Sequence, residues 1–282
     1  MPRSHVMRFG PHRLAFGLAC GVVTAVCGLG ARAQVNDRVN PLIDSSNFQD
    51  GVFLRDAKTK DLFAAARIAI FGGPGGVARL RSMRLKGRSR FPSTDGAMIS
   101  AAVEIRILLP DRYLRIDSGA FGRRMTGYAG NKTLDLIETA DGNTTPNPGE
   151  PAAILRADRA ELARLMLGVA TFTSQEMPLK LQTRETPVEM PGPSEPLGID
   201  AVGESGFAAR IVFDGKSHLP VRLVFWGANR TAMTTTYADR RSTGGMKAPY
   251  SIITIAGDRI VDELVLDEIA FNPSLSRTDF SR

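Results

Sequence analysis

The chain of 282 residues predicts a mainly β fold of the α+β class: a strongly curved antiparallel sheet forming an unclosed β-barrel, with two covering helices. Three observations predict it. Most segments between residues 77 and 271 alternate apolar and polar side chains with period two. Turn pairs such as Pro110-Asp111, Gly130-Asn131, Gly244-Gly245 and Gly257-Asp258 separate neighbouring runs, and only 58–71 and 158–170 carry helical periodicity.

Residues 1–33 read as an export signal, with Arg3, Arg8 and Arg13 ahead of an apolar stretch (14–29) and Ala31-Arg32-Ala33 as the cleavage site. The stretch is shorter than the roughly 20 residues that span a bilayer. Cleavage near Ala33 predicts a periplasmic protein, with an uncleaved N-terminal anchor as the alternative. Cys20 and Cys27 both fall inside the signal. Thr24-Ala25-Val26-Cys27 faintly resembles a lipoprotein box, but valine before the cysteine fits it poorly, so lipidation at Cys27 stands only as an alternative. From Gln34 onward there is no cysteine and one histidine, His218, which leaves little for a zinc or iron site; no metal or cofactor is expected. The formal charge of +7 falls to +3 once Arg3, Arg8, Arg13 and Arg32 are removed, which takes away the global argument for a nucleic-acid partner.

Residues 34–55 are polar and aperiodic and read as a linker or irregular arm. A first helix over 58–71 carries Leu62, Ala65, Ala66 and Ala69 on one stripe, and Gly72-Gly73-Pro74 ends it. Period two then sets in, with Met83, Leu85 and Phe91 opposite Arg84, Lys86, Arg88 and Arg90. Runs over 97–109, 112–117, 121–128 and 132–137 continue as an antiparallel meander, and 138–151 reads as a loop. A second helix is expected from residue 158, where Asp158 and Glu161 have capping-box spacing. Its stripe Leu162, Leu165, Met166 and Val169 reads equally as core or as a lid over a cavity. After a proline-rich break at 184–196, strands are expected over 207–213, 219–225, 231–242, 247–256 and 259–271, about a dozen in all.

A curved sheet of that many strands does not always fill its own interior, and a hollow lined by Val, Ile, Leu and Phe stays dry and attracts acyl chains, at about 0.8 kcal/mol per buried methylene. The expected lining is Ile105, Ile107, Ile211, Phe213, Leu223 and Phe225 on the sheet, with Leu162, Leu165 and Met166 on the lid. Alternation alone leaves open which face of each strand points inward.

The chain resembles the bacterial lipoprotein-carrier superfamily with the LolA/LolB-like fold. The resemblance is carried by the helix ending in Gly72-Gly73 followed by Leu80-Arg81-Ser82-Met83 and Lys86-Gly87, and by the hairpin 214–222 (Asp-Gly-Lys-Ser-His-Leu-Pro-Val-Arg). The run 237–244 (Tyr-Ala-Asp-Arg-Arg-Ser-Thr-Gly), Lys247-Ala248-Pro249-Tyr250 and Asn272-Pro273 complete it. It implies a single half-barrel domain over 56–282 with a helical lid above a hydrophobic cavity. It also implies a periplasmic binding protein, carrier or sensor, that holds a lipid or lipidated protein without reacting with it. Carriers of this kind tie the lid with a cavity arginine, for which Arg106, Arg115 and Arg222 are the candidates.

Other chemistry is thinner. A hydrolase would need His218 as its base with Ser217 or a distant serine, and there is no Gly-x-Ser-x-Gly elbow. Asp258, Asp262, Glu263, Asp267 and Glu268 split between the two faces of a strand, as a solvated surface would rather than a calcium site. The basic stripe Arg79, Arg81, Arg84, Lys86, Arg88 and Arg90 reads as the outer face of an edge strand or as a contact for an anionic membrane surface. An envelope module that recognises a protein through its open sheet edge is the alternative from a different class.

Overall fold

Period-two segments become strands and turn pairs become hairpins, as alternation dictates when one face is buried. The computed structural model describes residues 52–73, 80–93, 95–146, 149–172, 177–183, 197–203, 206–227 and 230–280. The first half holds β1 (Val52–Leu54), α1 (Ala57–Phe71), β2 (Ser82–Pro92), β3 (Met98–Leu108), β4 (Arg112–Gly119), β5 (Gly122–Ala129), β6 (Lys132–Glu138) and β7 (Thr144–Pro146). The second holds α2 (Pro151–Ala170), β8 (Leu179–Gln182), β9 (Gly198–Gly203), β10 (Ala208–Phe213), β11 (Pro220–Trp226), β12 (Ala232–Thr243), β13 (Met246–Ala256) and β14 (Arg259–Phe271). All 14 strands form one sheet, ordered β1-β8-β9-β10-β11-β12-β13-β14-β2-β3-β4-β5-β6-β7. Its end strands β1 and β7 do not meet, so the sheet is unclosed. The fold is mainly β, with the two helices that periodicity predicts.

The pairing is antiparallel except at one edge, where β1 runs parallel to β8. Val52–Leu54 therefore belong to the sheet, although they fall within the arm expected over 34–55; the arm's earlier residues, like the signal and both cysteines, lie outside the described residues. No described helix is long and apolar enough to cross a membrane.

Odd-numbered residues of β2, β3, β10 and β11 face the helices: Met83, Leu85, Ile105, Ile107, Ile211 and Leu223 are almost wholly excluded from solvent. The opposite face of β2 carries the basic stripe. That strand is not an edge: it lies between β14 and β3, and carboxylates from those neighbours meet its cations. Arg84 pairs with Glu268 at 2.9 Å, Arg90 with Glu263 at 3.0 Å, and Lys86 stands opposite Glu104. Arg79 lies outside the described residues. Further along the outer face the chain after β14 turns at Asn272, in the left-handed region, whose Oδ1 accepts from the backbone N–H of Arg81 at 2.7 Å. The segment then crosses the sheet so that Phe280 packs with Leu114, Ile116 and Met125 in a second small core.

Asp56 caps α1, accepting from the Thr59 N–H at 2.7 Å, and it also accepts from the Thr183 N–H at 3.1 Å and hydroxyl at 2.8 Å. One carboxylate thus joins the helix start to the end of β8. Burial alone would raise its pKa, but the bonds from Thr59 and Thr183 outweigh burial and lower it. At the far end Gly72, at φ 71°, supplies the left-handed cap and donates its N–H to the Ile68 carbonyl. Replacing Asp56 with Ala is expected to cost about 1–3 kcal/mol in urea unfolding at pH 7, because a cap and the β8 tie are lost together.

Candidate functional site

Helix α2 begins well before the position its sequence signal indicates. Glu150 is the N-cap, accepting from the N–H groups of Ala152 (3.0 Å) and Ala153 (2.8 Å), and Pro151 takes the first turn, where its missing N–H costs nothing. The capping box expected at Asp158 is therefore overturned, and Asp158 sits inside the helix. With 20 residues the helix is about 30 Å long, and it touches both β6 and β10, nine ladder steps apart. In a flat sheet those strands would lie roughly 43 Å apart, so the sheet curls around the helix.

Helix and sheet meet closely at Gly168. A Cβ there would stand 1.8 Å from Tyr237 Cζ, so the bare glycine is what lets the backbone settle on the ring. Tyr237 then donates its hydroxyl to the Arg164 carbonyl at 3.3 Å. Next along β12, Asp239 takes a left-handed conformation (φ 49°), and Arg240 turns toward the helix. Its Nη2 donates to the carbonyls of Pro220 and, at 3.5 Å, Gly168. Burial, only partly offset by Tyr237, lowers the Arg240 pKa to about 10, and its Nε and Nη1 are buried with no hydrogen-bond partner among the described residues. Arg240 is thus a sheet guanidinium that meets α2, and it is not among the three expected candidates. Arg106 lies on the outer face against Glu104 (2.8 Å), Arg222 also faces outward beside inward Leu223, and Arg115 is held by two carboxylates. From the other helix, Arg67 donates to the Thr171 carbonyl at 3.1 Å and joins α1 to the end of α2.

A cavity of about 250 Å³ lies between α2 and strands β11 to β14. Leu165, Phe225, Met233, Tyr237, Ile252 and Leu264 supply its apolar lining; Glu161 and Arg164 on the helix and the cross-strand row Thr235, Thr254 and Asp262 supply its polar one. Of the nine expected lining residues, Leu165 and Phe225 border this space. Leu162 and Met166 border a void of about 10 Å³ beside Tyr128 and Arg159. Ile105, Ile107, Ile211, Phe213 and Leu223 lie on the helix-facing side of the sheet, packed in the core. The additional residues Met233, Tyr237, Ile252 and Leu264 are inward members of strands that the alternation already delineates; their side is fixed only by register.

The polar lining continues from Asp262 into a largely buried network. Arg115 donates to Asp262 through Nη1 (3.0 Å) and Nη2 (2.9 Å) and to Asp117 through Nε (2.9 Å), and the Ser89 hydroxyl donates to Asp117 at 2.6 Å. Burial works against the Arg115 charge, but Asp262 and Asp117 outweigh it and hold the proton more tightly than in a free arginine. Asp158 has no such support. Burial, together with Asp135 and Glu161 and against Arg124, raises its pKa to about 7. The acids expected to split between faces do so: Asp262 points inward, while Glu263 and Glu268 pair with arginines on the outer face. His218 is exposed in a turn where the Ser217 hydroxyl donates to Asp214 at 2.7 Å, so Ser217 serves the turn.

No protein-family profile and no curated protein sequence matches the chain. Among solved structures, a LolA superfamily protein from Nitrosomonas europaea superposes with a TM-score of 0.50 at 11% identity, covering 80% of this chain and 99% of that one. The fold is LolA-like. A putative outer membrane lipoprotein-sorting protein domain from Vibrio parahaemolyticus superposes at TM-score 0.45 and 8% identity, over 71% of this chain and 89% of that one. A DUF1329 family protein from Desulfovibrio piger gives 0.47 at 8% identity, over 80% and 98%. Both helices cover the open sheet, and the cavity lies at the edge of α2.

Two outcomes are expected. Gly168→Ala should lower stability by about 1–3 kcal/mol, because ring or helix must move, and should raise fluorescence of a hydrophobic dye as α2 lifts. Asp158 has a folded pKa above its unfolded one, so the folded state keeps a proton that the unfolded state releases. Its contribution is present below about pH 4 and is lost as pH rises through about 7. Asp158→Asn should therefore stabilise the protein by about 1–3 kcal/mol at pH 8 and by little at pH 4, read from denaturant midpoints.

Proposed function

We propose that this chain is an exported envelope protein, cleaved near Ala33, whose half-barrel domain over 56–282 binds a hydrophobic ligand without transforming it, as a carrier or a sensor. The observation that carries the reading is the cavity of about 250 Å³ under α2, lined mainly by apolar side chains with the polar row Thr235, Thr254 and Asp262 across its floor. It exceeds the roughly 150 Å³ of a dry apolar cavity known to accept benzene, and falls below the roughly 300–1,000 Å³ of pockets for drug-sized molecules. That size favours part of a single hydrocarbon chain, with the head near Glu161, Arg164 and Asp262. Leu165 and Phe225 are the expected contacts to the chain; Ile105, Ile107, Ile211, Phe213, Leu223, Leu162 and Met166 would come into contact only if α2 shifts. The LolA-like fold supports this reading, since the Nitrosomonas europaea protein that superposes over 80% of the chain belongs to the LolA superfamily.

The test is organic extraction of the protein purified without detergent from the bacterial envelope, followed by mass spectrometry. Stoichiometric recovery of a single-chain lipid is expected. Leu165→Trp, which fills the space, should weaken binding of a fluorescent acyl probe at least tenfold while the melting temperature holds. An empty protein that also ignores the probe would end the proposal.

A further inference from the structure

The two halves of α2 hold the sheet differently. From Leu162 to Thr171 every residue but Arg164 is buried, whereas none from Pro151 to Glu161 is. The buried half is fastened by Gly168 against Tyr237, by Arg240 donating to the Gly168 carbonyl, and by Arg67 donating to the Thr171 carbonyl. The other half lies on β5 and β6 and reaches the main core through partly buried Leu155 and Ala160. There Arg159 lies over the Tyr128 ring and donates to Asn131 at 3.2 Å. Asp158, half-buried, belongs to this weakly held half, and its Oδ2 is sealed from solvent with no hydrogen-bond partner among the described residues. The charged groups that act on it are Asp135 from β6, Arg124 from β5 and Glu161 from α2 itself. Its neighbour Arg159 and the Tyr113 hydroxyl of β4 complete the titratable surroundings.

We propose that proton release from Asp158 lifts the amino-terminal half of α2 off β5 and β6 and opens the cavity on its helix side. Protonated, Asp158 adds no charge beside Asp135 and Glu161, and the half-helix closes on the sheet. Ionised, it brings a third carboxylate into a contact largely shielded from water, and moving out into solvent relieves it. The fastened half stays in place and the lift turns about Leu162. Glu161 and Arg164 border the cavity at this turning point, so the same lift widens the space beside Leu165. Burial first, then Asp135 and Glu161, raise the Asp158 pKa in the closed seating from 3.8 to about 7. The closed seating is therefore strongest below about pH 4, loses up to about tenfold per pH unit above that, and is weakest beyond about 7. The device works with the cavity empty and stands apart from the proposed binding function.

The experiment is energy transfer in the mature chain, which from Gln34 onward has one tryptophan, Trp226 on β11, and no cysteine. Arg156→Cys, at an exposed site on the amino-terminal half of α2, carries a thiol-linked acceptor dye. Transfer from Trp226 is expected to fall as pH rises from 5 to 7.5 and to level off above that, with circular dichroism unchanged. In Asp158→Asn, which holds the half-helix down at every pH, transfer should stay constant. A flat profile in the parent chain, an undiminished fall in Asp158→Asn, or a fall that tracks loss of circular dichroism overturns the device. Each of these leaves the binding function standing, since lipid extraction and the acyl probe decide that separately.

Discussion

The seating of α2 on the inner face of the sheet is the constraint on which the rest depends. One missing side chain, at Gly168, lets the helix backbone touch Tyr237, and Arg240 and the Tyr237 hydroxyl then engage carbonyls of that helix. An approach this close sets the height of the whole helix above the strands. Near Gly168 the gap is filled, and toward Glu161 it widens into the cavity. A larger residue at 168 would wedge the helix away and turn a localised space into a continuous slot.

Electrostatics under the helix are arranged in two tiers. The lower, on the sheet, is fully paired: Arg115 joins Asp117 and Asp262, and Ser89 completes Asp117. A fully bonded ionic network of this kind is rigid, because each charge has lost water and gained fixed partners. The upper tier, on α2, is less well supported, with Asp158 half-buried near Asp135 and its Oδ2 buried and unpartnered among the described residues. The helix is therefore the softer side of the cavity and the sheet the stiffer one.

Much of this was legible in the sequence. Strands β2 to β6 and β10 to β14 lie within a few residues of the alternating runs, since each buries one face and exposes the other. The exceptions have physical causes. Strand β9 buries Ile199, Asp200 and Ala201 in succession, with Asp200 paired to Arg210 at 2.6 Å on the far face, so no alternation marks it. Strand β8 has only four residues, and β1 reaches it by a parallel pairing that no hairpin signal announces. The true start of α2 rests on Pro151 and a glutamate cap, a weaker signature than the box at Asp158 that displaced it. Arg240 was hidden for a sharper reason. Strict parity groups it with Ala238, and only the left-handed turn of the chain at Asp239 sends it to the opposite side.

The ladder between β14 and β2 joins residues such as Glu263 and Arg90, far apart in the chain, and it is the seam that unites the N-terminal meander with the C-terminal one. Since synthesis runs from the N-terminus, β2 must wait with a bare rim until β14 arrives. Pairings this remote in sequence form slowly. During that wait the arginines and lysine along β2 repel any identical rim from a neighbouring copy, and the glutamates of β14 relieve that repulsion when the correct strand docks. The charge on the stripe is thereby matched only once β14 is in place, with Glu263 on Arg90 and Glu268 on Arg84.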